Sequence, residues 1–140
     1  MKEVKQPVIS IIIATMNASA HIGKCLESIA AQSFVAIEVV IIDGGSNDDT
    51  VSIVRSFSAR PLQVYSGPDK GIYDALNKGS KIARGKWLYF MGADDLLLPG
   101  FSELANKMTD ENTVYYGDSE PYHNLPGPVD FELLIGGFSS

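Results

Sequence analysis

Cysteine is almost absent from this chain, and so are the motifs that most directly assign a chemistry. The single cysteine, Cys25, excludes an internal disulfide and fits a reducing compartment. The two histidines, His21 and His123, have no partner at metal-ligand spacing. The sequence contains no nucleophile elbow, Walker A loop or zinc motif.

Long hydrophobic runs and an excess of basic charge are also missing. No apolar run approaches the roughly 20 residues that a membrane-spanning helix needs, and residues 1–7 do not form a signal peptide. Eleven basic and seventeen acidic residues give a net charge of −6, which argues against binding nucleic acid or an anionic membrane directly. We expect a cytoplasmic protein, and any peripheral association with the inner face of the membrane would depend on regions outside this chain.

The hydrophobic pattern predicts one α/β domain. Apolar, largely β-branched segments at 8–17, 36–43, 62–66, 86–92 and 113–118 are typical of strands, the first two being buried on both faces. Helical patterns lie between them at 18–32, around 51–54, at 70–84 and at 99–108. This alternation implies a three-layer α/β/α sandwich with a mostly parallel sheet. The last ten residues, FELLIGGFSS, resemble an element still in progress, so residues 1–140 are expected to be one domain of a longer chain.

Residues at the helix ends suggest how each helix begins and stops. Ser19 is the expected N-cap of the first helix, and Asp48 or Asp49 that of the second. Gly85 is the expected stop of the third helix. The inward face of that third helix is expected to comprise Ile72, Leu76, Gly79 and Ala83.

Small, polar and acidic residues collect where the predicted strands end. Ligands of open α/β sheets bind beyond the carboxyl ends of the strands, so this distribution predicts a site there. The residues at these ends are Thr15, Met16 and Asn17; Asp43, Gly44, Gly45 and Ser46; Gly67, Pro68, Asp69 and Lys70; Gly92, Ala93, Asp94 and Asp95; and Gly117 with Asp118.

Each of these residues also has a purely structural interpretation. Asp43 either meets a ligand or bonds its own backbone in a turn. Thr15 and Asn17 either contact a base edge or cap a helix. Lys70 either neutralises phosphate or opens a ladder of surface ion pairs with Asp74 and Lys78, which recur at intervals of four.

The adjacent carboxylates of Asp94 and Asp95 demand a separate explanation. Two such charges about 4 Å apart repel by roughly 4 kcal/mol at an effective dielectric near 20. A hard divalent cation such as Mg²⁺ or Mn²⁺ would offset this repulsion, and it takes only one or two carboxylates from a protein when phosphate and water complete its shell. The alternative is a solvated loop whose acids cap the helix that follows Pro99.

Four linked segments of the chain resemble the inverting glycosyltransferases of family 2, which have the Rossmann-like GT-A fold. The resemblance is closest to the branch that builds bacterial surface polysaccharides, and it covers about residues 8 to 118. The segments are SIIIATMNASAHIGKCLESIAAQSF, EVVIIDGGSNDDT, PDKGIYDALNKGSKIARGKWLYFMGADD and YYGD.

The resemblance implies a role for each candidate residue. Thr15 and Asn17 would line the nucleotide pocket, and Asp43 would recognise the base. Lys70 would lie in the segment that approaches the base and the phosphates. Asp94 would contact the ribose side, and Asp95 would hold the divalent metal on the sugar diphosphate.

The implied reaction transfers a sugar from a nucleotide-diphosphate sugar to a hydroxyl of a glycan or lipid-linked acceptor. A carboxylate base would deprotonate that hydroxyl, and inversion would follow from a single displacement. The chain would then be truncated after its nucleotide-binding half, with the base near or beyond Ser140. Asp118 and Asp130 are the nearest late acids, and neither is assigned as the base.

This chain departs from the family pattern at two positions, and two other classes of protein are alternatives to the glycosyltransferase interpretation. Family members often have a second aspartate where this chain has Gly44, and many have an acid at the position of Gly92.

One alternative is a module that binds nucleotide and metal without transferring sugar. A more distant alternative is a receiver-like signalling domain, whose acid pair should follow the first strand rather than the fourth.

Overall fold

The computed structural model of the protein describes residues 6–107, 114–118 and 131–136. Strands and helices alternate along the first of these ranges, as the hydrophobic pattern predicts. Within the described residues no helix is both long enough and apolar enough to cross a bilayer. The elements are β1 (Ile9–Thr15), α1 (Ile22–Ala30), β2 (Ile37–Asp43), α2 (Thr50–Arg55), β3 (Leu62–Ser66), α3 (Ile72–Ile82), β4 (Trp87–Gly92), α4 (Gly100–Lys107), β5 (Val114–Asp118) and β6 (Phe131–Gly136).

The strands form one sheet in the order β3-β2-β1-β4-β6-β5. β1 pairs in parallel with β2 and β4, and β2 pairs in parallel with β3. β6 lies antiparallel between β4 and β5. The mostly parallel sheet is therefore confirmed. The last ten residues, which the sequence analysis expects to be part of an incomplete element, contain β6, a strand of this sheet.

The sheet is covered by helices on both faces. Ile9, Ile11 and Ile13 of β1 face a core shared with buried residues of α1, α2 and α4. Ile12 faces the opposite side, where Ala75 of α3 packs. Alternate residues of a buried strand thus enter separate cores, which is why β1 and β2 are apolar almost throughout. The three-layer α/β/α sandwich is confirmed.

The predicted N-cap of the first helix is wrong. α1 begins at Ile22 with His21 in the N-cap position, and Ser19 lies in the preceding turn. The backbone N–H of Ser19 donates to Asp48 Oδ2 at 3.1 Å, so this turn is tied to the start of α2 instead of opening α1. For the second helix, Asp49 holds the N-cap position without a side-chain bond. Asp48 caps the start of this helix instead, because its Oδ1 accepts a hydrogen bond from the backbone N–H of Thr50 at 3.0 Å.

Two predictions for the third helix also require correction. Ile72 is the first residue of α3 and is 61% exposed, so it does not belong to the inward face. Gly79 is buried on that face as predicted, Leu76 and Ala83 pack against the same core, and Ala75 is a buried member that was not predicted. A Cβ on Gly79 would lie 2.4 Å from Ile12 Cγ2. Gly85 is not the residue that stops the helix, because Ala83 is already extended. Gly85 instead allows close packing, since a Cβ there would lie 2.7 Å from the backbone nitrogen of Ser10.

A buried carboxylate joins the sheet to the chain that leaves α3. Glu38 of β2 is fully buried, and its Oε2 accepts hydrogen bonds from Ser10 Oγ at 2.5 Å and from Arg84 N at 2.6 Å. Its Oε1 accepts from Gln63 Nε2 at 3.0 Å and from Arg84 Nε at 3.3 Å. Burial raises the pKa of Glu38, but the bonds from Ser10, Arg84 and Gln63 outweigh it, and the net pKa lies below the ordinary value.

Candidate functional site

The carboxyl ends of the parallel strands meet at one edge of the sheet. Thr15, the last residue of β1, lies opposite Asp43, the last residue of β2. Asp43 in turn lies opposite Ser66 at the end of β3, and Ala14 lies opposite Gly92 at the end of β4. The candidate residues that end these four strands therefore share one edge, as the sequence predicts.

Asp43 is the centre of a hydrogen-bond network at this edge. Its Oδ1 accepts from Thr15 Oγ1 at 2.7 Å and from Ser46 Oγ at 2.6 Å. Its Oδ2 accepts from Gly45 N at 3.0 Å, from Ser46 N at 2.8 Å and from Ser66 Oγ at 2.9 Å. Asp43 is only 1% exposed, so the carboxylate is occupied by bonds within the protein. The bonds from Gly45 N and Ser46 N are those that the turn interpretation of Asp43 predicts. The bonds from Thr15 and Ser66, which were not predicted, hold the ends of β1 and β3 against the end of β2.

Burial and hydrogen bonding act in opposite directions on Asp43. Desolvation raises the pKa of its carboxyl group, because the charged form is disfavoured away from water. Donors from Ser46, Thr15 and Ser66 lower the pKa by more, so that the net value lies below the ordinary one. The group is therefore ionised at neutral pH.

Asn17 links the loop after β1 to the loop after β2. Its backbone N–H donates to Ser46 Oγ at 2.8 Å, and its Oδ1 accepts from the backbone N–H of Asn47 at 2.8 Å. Its φ of +50° lies in the left-handed region, which asparagine tolerates better than most residues. These bonds fix the backbone that follows Thr15.

The carboxylates of Asp94 and Asp95 converge on the backbone of Gly92. Asp95 Oδ2 accepts from Gly92 N at 2.9 Å. A Cβ on Gly92 would lie 2.8 Å from Asp95 Oδ2 and 3.1 Å from Asp94 Oδ1, so both carboxylates occupy the space that this glycine leaves open. Asp94 is exposed and Asp95 is half-buried. Water and the N–H of Gly92 thus relieve part of their mutual repulsion.

This arrangement fits a hard divalent cation bound through few protein ligands. Carboxylate oxygens are the donors that Mg²⁺ and Mn²⁺ prefer. In the ranges that the structure covers, no group of three or more histidine, cysteine, aspartate or glutamate side chains converges on one point. A cation here would therefore need oxygens from a ligand such as a diphosphate to complete its shell.

Lys70 is exposed at the entry to α3. Its backbone N–H donates to Asp74 Oδ2 at 3.0 Å, and Lys78 Nζ lies 3.1 Å from the same oxygen. The predicted ion pair of Asp74 with Lys78 is confirmed, whereas Lys70 reaches Asp74 through its backbone. The neighbouring Asp69 turns back, and its Oδ1 accepts from Gly71 N at 3.0 Å.

A buried amide that the sequence analysis did not single out supports the loop after Asp95. Gln32 is 6% exposed, and its Nε2 donates to the carbonyl oxygens of Leu97 and Leu98, each at 3.2 Å. Its Oε1 accepts from Ser102 Oγ at 2.7 Å. Its Nε2 also donates to the carbonyl oxygen of Ser28 at 3.2 Å. A glutamine at the end of a predicted helix gives no sequence signal for this role, because Leu97, Leu98 and Ser102 lie more than sixty positions away.

Some candidate residues lie partly or wholly outside the description. Asp118 is the last residue of β5 and lies opposite Phe131, but its side chain is not described. Asp130 and His123 lie outside the described residues. Trp87 is 2% exposed and belongs to the core.

The family model described as "Glycosyl transferase family 2" matches residues 10–128, and the chain belongs to this family. The structural neighbours are glycosyltransferases with the GT-A fold, which confirms the predicted fold. A receiver-like domain is thereby excluded.

One curated relative is a "PGL/p-HBAD biosynthesis glycosyltransferase" of Mycobacterium bovis. It is 45% identical over 94 residues, which represent 65% of this chain and 37% of the relative. The chain thus spans a little over a third of the length of this relative.

Two solved structures give the likeness in three dimensions. Residues 1–349 of S. aureus TarS, in complex with UDP-GlcNAc, match with a TM-score of 0.79 and 26% identity over 86% of this chain and 37% of that one. The mannosyltransferase PcManGT of Pyrobaculum calidifontis, in complex with GDP-Man and Mn²⁺, matches with a TM-score of 0.68 and 25% identity, covering 77% of this chain and 34% of that one.

Proposed function

We propose that this chain is the donor-binding part of an inverting glycosyltransferase domain. It would transfer a sugar from a nucleotide-diphosphate sugar to an acceptor hydroxyl during synthesis of a bacterial surface polysaccharide or cell-envelope glycan. One observation carries the proposal: a family 2 chain brings Thr15, Asp43 and the Asp94–Asp95 pair to one edge of its parallel sheet. The nucleotide sugars bound to TarS and PcManGT support this choice of donor.

The nucleotide would lie across the ends of β1 and β2. Thr15 and Asn17 would line its pocket, and Asp43 would shape the base site through the turn it holds. Lys70, exposed at the start of α3, would approach the phosphates. Its ammonium group would neutralise part of the diphosphate charge.

Asp95 would hold the divalent cation, and Asp94 would face the ribose. The half-buried Asp95 is fixed by the N–H of Gly92, whereas Asp94, whose Oδ1 also lies beside Gly92, is exposed. When bound, Mg²⁺ or Mn²⁺ would stabilise the charge of the departing nucleoside diphosphate.

In the transfer step, the acceptor oxygen would attack the anomeric carbon of the donor sugar while the bond to the diphosphate breaks. A carboxylate base would take the proton of the acceptor hydroxyl. Attack from the side opposite the leaving group inverts the anomeric centre. We assign no residue of this chain as that base. The acceptor would be a glycan or a lipid-linked sugar, met in the cytoplasm or at the inner face of the membrane.

A second candidate function is binding of nucleotide and metal without sugar transfer. This second function is retained because the chain covers only 37% of the mycobacterial relative, so residues needed for sugar transfer could lie in the part of the relative that the chain does not match. Turnover of a donor sugar by the 140-residue chain would exclude this second function. Turnover only by a longer chain would support it for the chain considered alone.

The direct test is thermal stabilisation of the chain by UDP, GDP, dTDP and CMP, each with and without Mn²⁺. We expect a nucleoside diphosphate to raise the melting temperature and the rise to depend on Mn²⁺, because binding to the folded state stabilises it. No response to any of the four nucleotides would contradict the proposal.

A further inference from the structure

Two loops at the edge of the sheet are joined through the side chains of Asp48 and Thr50. Thr50 is the first residue of α2 and is fully buried, and its Oγ1 accepts a hydrogen bond from the backbone N–H of Ala18 at 2.8 Å. Asp48 Oδ2 accepts from the backbone N–H of Ser19 at 3.1 Å. Both donors belong to the loop between β1 and α1, and both acceptors belong to the chain that enters α2. These four residues are called the bridging cluster below.

The carboxylate of Asp48 fixes the direction of the Thr50 hydroxyl. Asp48 Oδ1 accepts from both the backbone N–H and the hydroxyl of Thr50. Because that hydroxyl gives its only proton to Asp48, its lone pairs are left to accept from Ala18. The bonds from Thr50 and Ser19 hold the pKa of Asp48 below its ordinary value, so the carboxyl group is ionised at neutral pH and acts only as an acceptor.

Asn17 lies immediately before the bridging cluster, in a disfavoured backbone conformation. Its φ of +50° is left-handed, and a residue with a side chain stays in that region only where its surroundings hold it there. Because Asn17 is exposed, packing against a core does not hold it. Its own bonds to the loop after β2 fix one side, and the bridging cluster fixes the backbone that follows.

We infer that Asp48 and Thr50 are positioning residues for the nucleotide, which hold Asn17 and its loop in the binding conformation without touching the ligand. This inference rests on the proposed function, in which Asn17 lines the nucleotide pocket. Thr50 is fully buried and both oxygens of Asp48 accept bonds from the protein, so neither side chain is offered to a ligand. Without the cluster only a fraction of the molecules would hold the loop in that conformation, and the apparent affinity would fall by that fraction.

Two substitutions of Thr50 separate its hydroxyl from its packing. Thr50→Val keeps the shape of the buried side chain but removes the acceptor of the Ala18 N–H. Thr50→Ser keeps the hydroxyl but removes a buried methyl group, which lowers stability. By titration calorimetry of the 140-residue chain with UDP and Mn²⁺, we expect Thr50→Val to weaken binding at least about fivefold and Thr50→Ser to stay within about twofold of the wild type. A residue that only stabilised the fold would not give this order.

Asp48→Asn tests the other half of the cluster. Both oxygens of Asp48 face donors, so a carboxamide puts its NH₂ group against Ser19 N or against Thr50, whichever way it turns. We expect UDP binding to weaken at least about fivefold. Ser52→Ala, which removes an exposed hydroxyl from the same helix, is the control and should leave the affinity unchanged. Because Asp48 is exposed, its variant is expected to fold even if Thr50→Val does not, and melting curves without nucleotide establish this for each variant.

Hydrogen exchange gives a local measurement that does not depend on nucleotide. In the unliganded protein, the amide proton of Ala18 should exchange faster in Thr50→Val, and that of Ser19 faster in Asp48→Asn, because each has lost its acceptor or meets a donor. The amides of β1 and β2 should keep their wild-type rates. Faster exchange throughout the protein would mean a general loss of stability and would overturn the inference.

The outcomes separate this inference from the proposed function. Unchanged UDP affinity in folded Asp48→Asn or Thr50→Val would overturn the inference while nucleotide binding, and with it the proposed function, would stand. Equal weakening by Thr50→Val and Thr50→Ser would also overturn it, because packing rather than the hydroxyl would then be responsible. If the wild-type chain bound no nucleotide at all, both would fall.

Discussion

Ser10 of β1 donates a 2.5 Å hydrogen bond to the buried carboxylate of Glu38, directly opposite it on the parallel neighbour β2. Both residues lie near the amino ends of their strands, away from the candidate site. Because Glu38 also accepts from Gln63 and from the backbone of Arg84, this one carboxylate joins β1, β2, β3 and the chain beyond α3. It organises the end of the sheet that carries no candidate site residue.

Replacing Glu38 should therefore destabilise the fold without touching the site. Glu38→Gln puts an NH₂ group either against Gln63 Nε2 and Arg84 Nε or against the backbone N–H of Arg84. A hydrogen bond to a charged group contributes about 1.5–3 kcal/mol. We expect the free energy of unfolding, measured with urea, to fall by about 2–3 kcal/mol. The exposed Glu27→Gln serves as the control and should change it by less than about 0.5 kcal/mol. A Glu38→Gln protein as stable as the wild type would show that this network contributes nothing.

Acid should destabilise the protein through Glu38 and Asp43. The pKa of each carboxyl group is lower in the folded state than the ordinary values of 4.5 and 3.8, which also apply to the unfolded chain. Below these ordinary values the unfolded chain binds more protons than the folded one. The stabilisation is thus fully present above about pH 4.5 and is lost as the pH falls through the folded-state values.

The measurement is the melting temperature of the chain from pH 6 to pH 3. We expect it to be nearly constant at the upper end and to fall steeply below about pH 4.5. Asp43→Asn and Glu38→Gln should each make the fall shallower while lowering the melting temperature at pH 6. A profile that both variants leave unchanged would assign the acid sensitivity to other groups.

The strands and their shared edge could be predicted because those signals are local. The observed strands β1, β2 and β3 end at Thr15, Asp43 and Ser66. Each of these ends lies within two residues of the end predicted from the apolar segments. Because the strands pair in parallel, their carboxyl ends lie at the same edge of the sheet, irrespective of how the connecting helices pack. The polar residues beyond those ends were therefore correctly grouped from sequence alone.

What could not be predicted depends on contacts between distant parts of the chain. Ser19 fails as an N-cap because its N–H bonds Asp48, 29 positions later. Gly85 is required by its close approach to Ser10, 75 positions earlier, and not by the end of its helix. The placement of Asp69 on Gly44 likewise arises only when two loops pack together. No local pattern contains this information.

Gln32 should stabilise the loop that follows Asp94 and Asp95 through its hydrogen bonds to Leu97 and Leu98. Gln32→Leu removes the donor to the carbonyl oxygens of Leu97 and Leu98 and the acceptor of Ser102 Oγ, in a buried setting. A buried polar group left unpaired costs about 1–3 kcal/mol, so the free energy of unfolding should fall by that amount. The exposed Ser33→Ala, one position along, is the control.

The same variant should also weaken the response to metal. If Gln32 positions the loop, the Mn²⁺-dependent part of the thermal shift with UDP should shrink in Gln32→Leu, measured relative to its own metal-free baseline. A lower melting temperature with an undiminished Mn²⁺ response would show that Gln32 stabilises the protein without positioning the aspartates.

The two aspartates of the pair should differ in their effect on metal coupling. Asp95→Ala removes the proposed metal ligand, so UDP should stabilise the variant equally with and without Mn²⁺. Asp94→Ala removes the proposed ribose contact, so UDP should bind more weakly while its dependence on Mn²⁺ remains. Asp95 also accepts from Gly92 N, and Asp95→Asn, which keeps an acceptor for that bond, distinguishes loss of the metal from loss of the turn. Retained Mn²⁺ coupling in both Asp95 variants would mean that the cation is held elsewhere, because a hard divalent ion binds a carboxylate far better than a neutral amide at the same position.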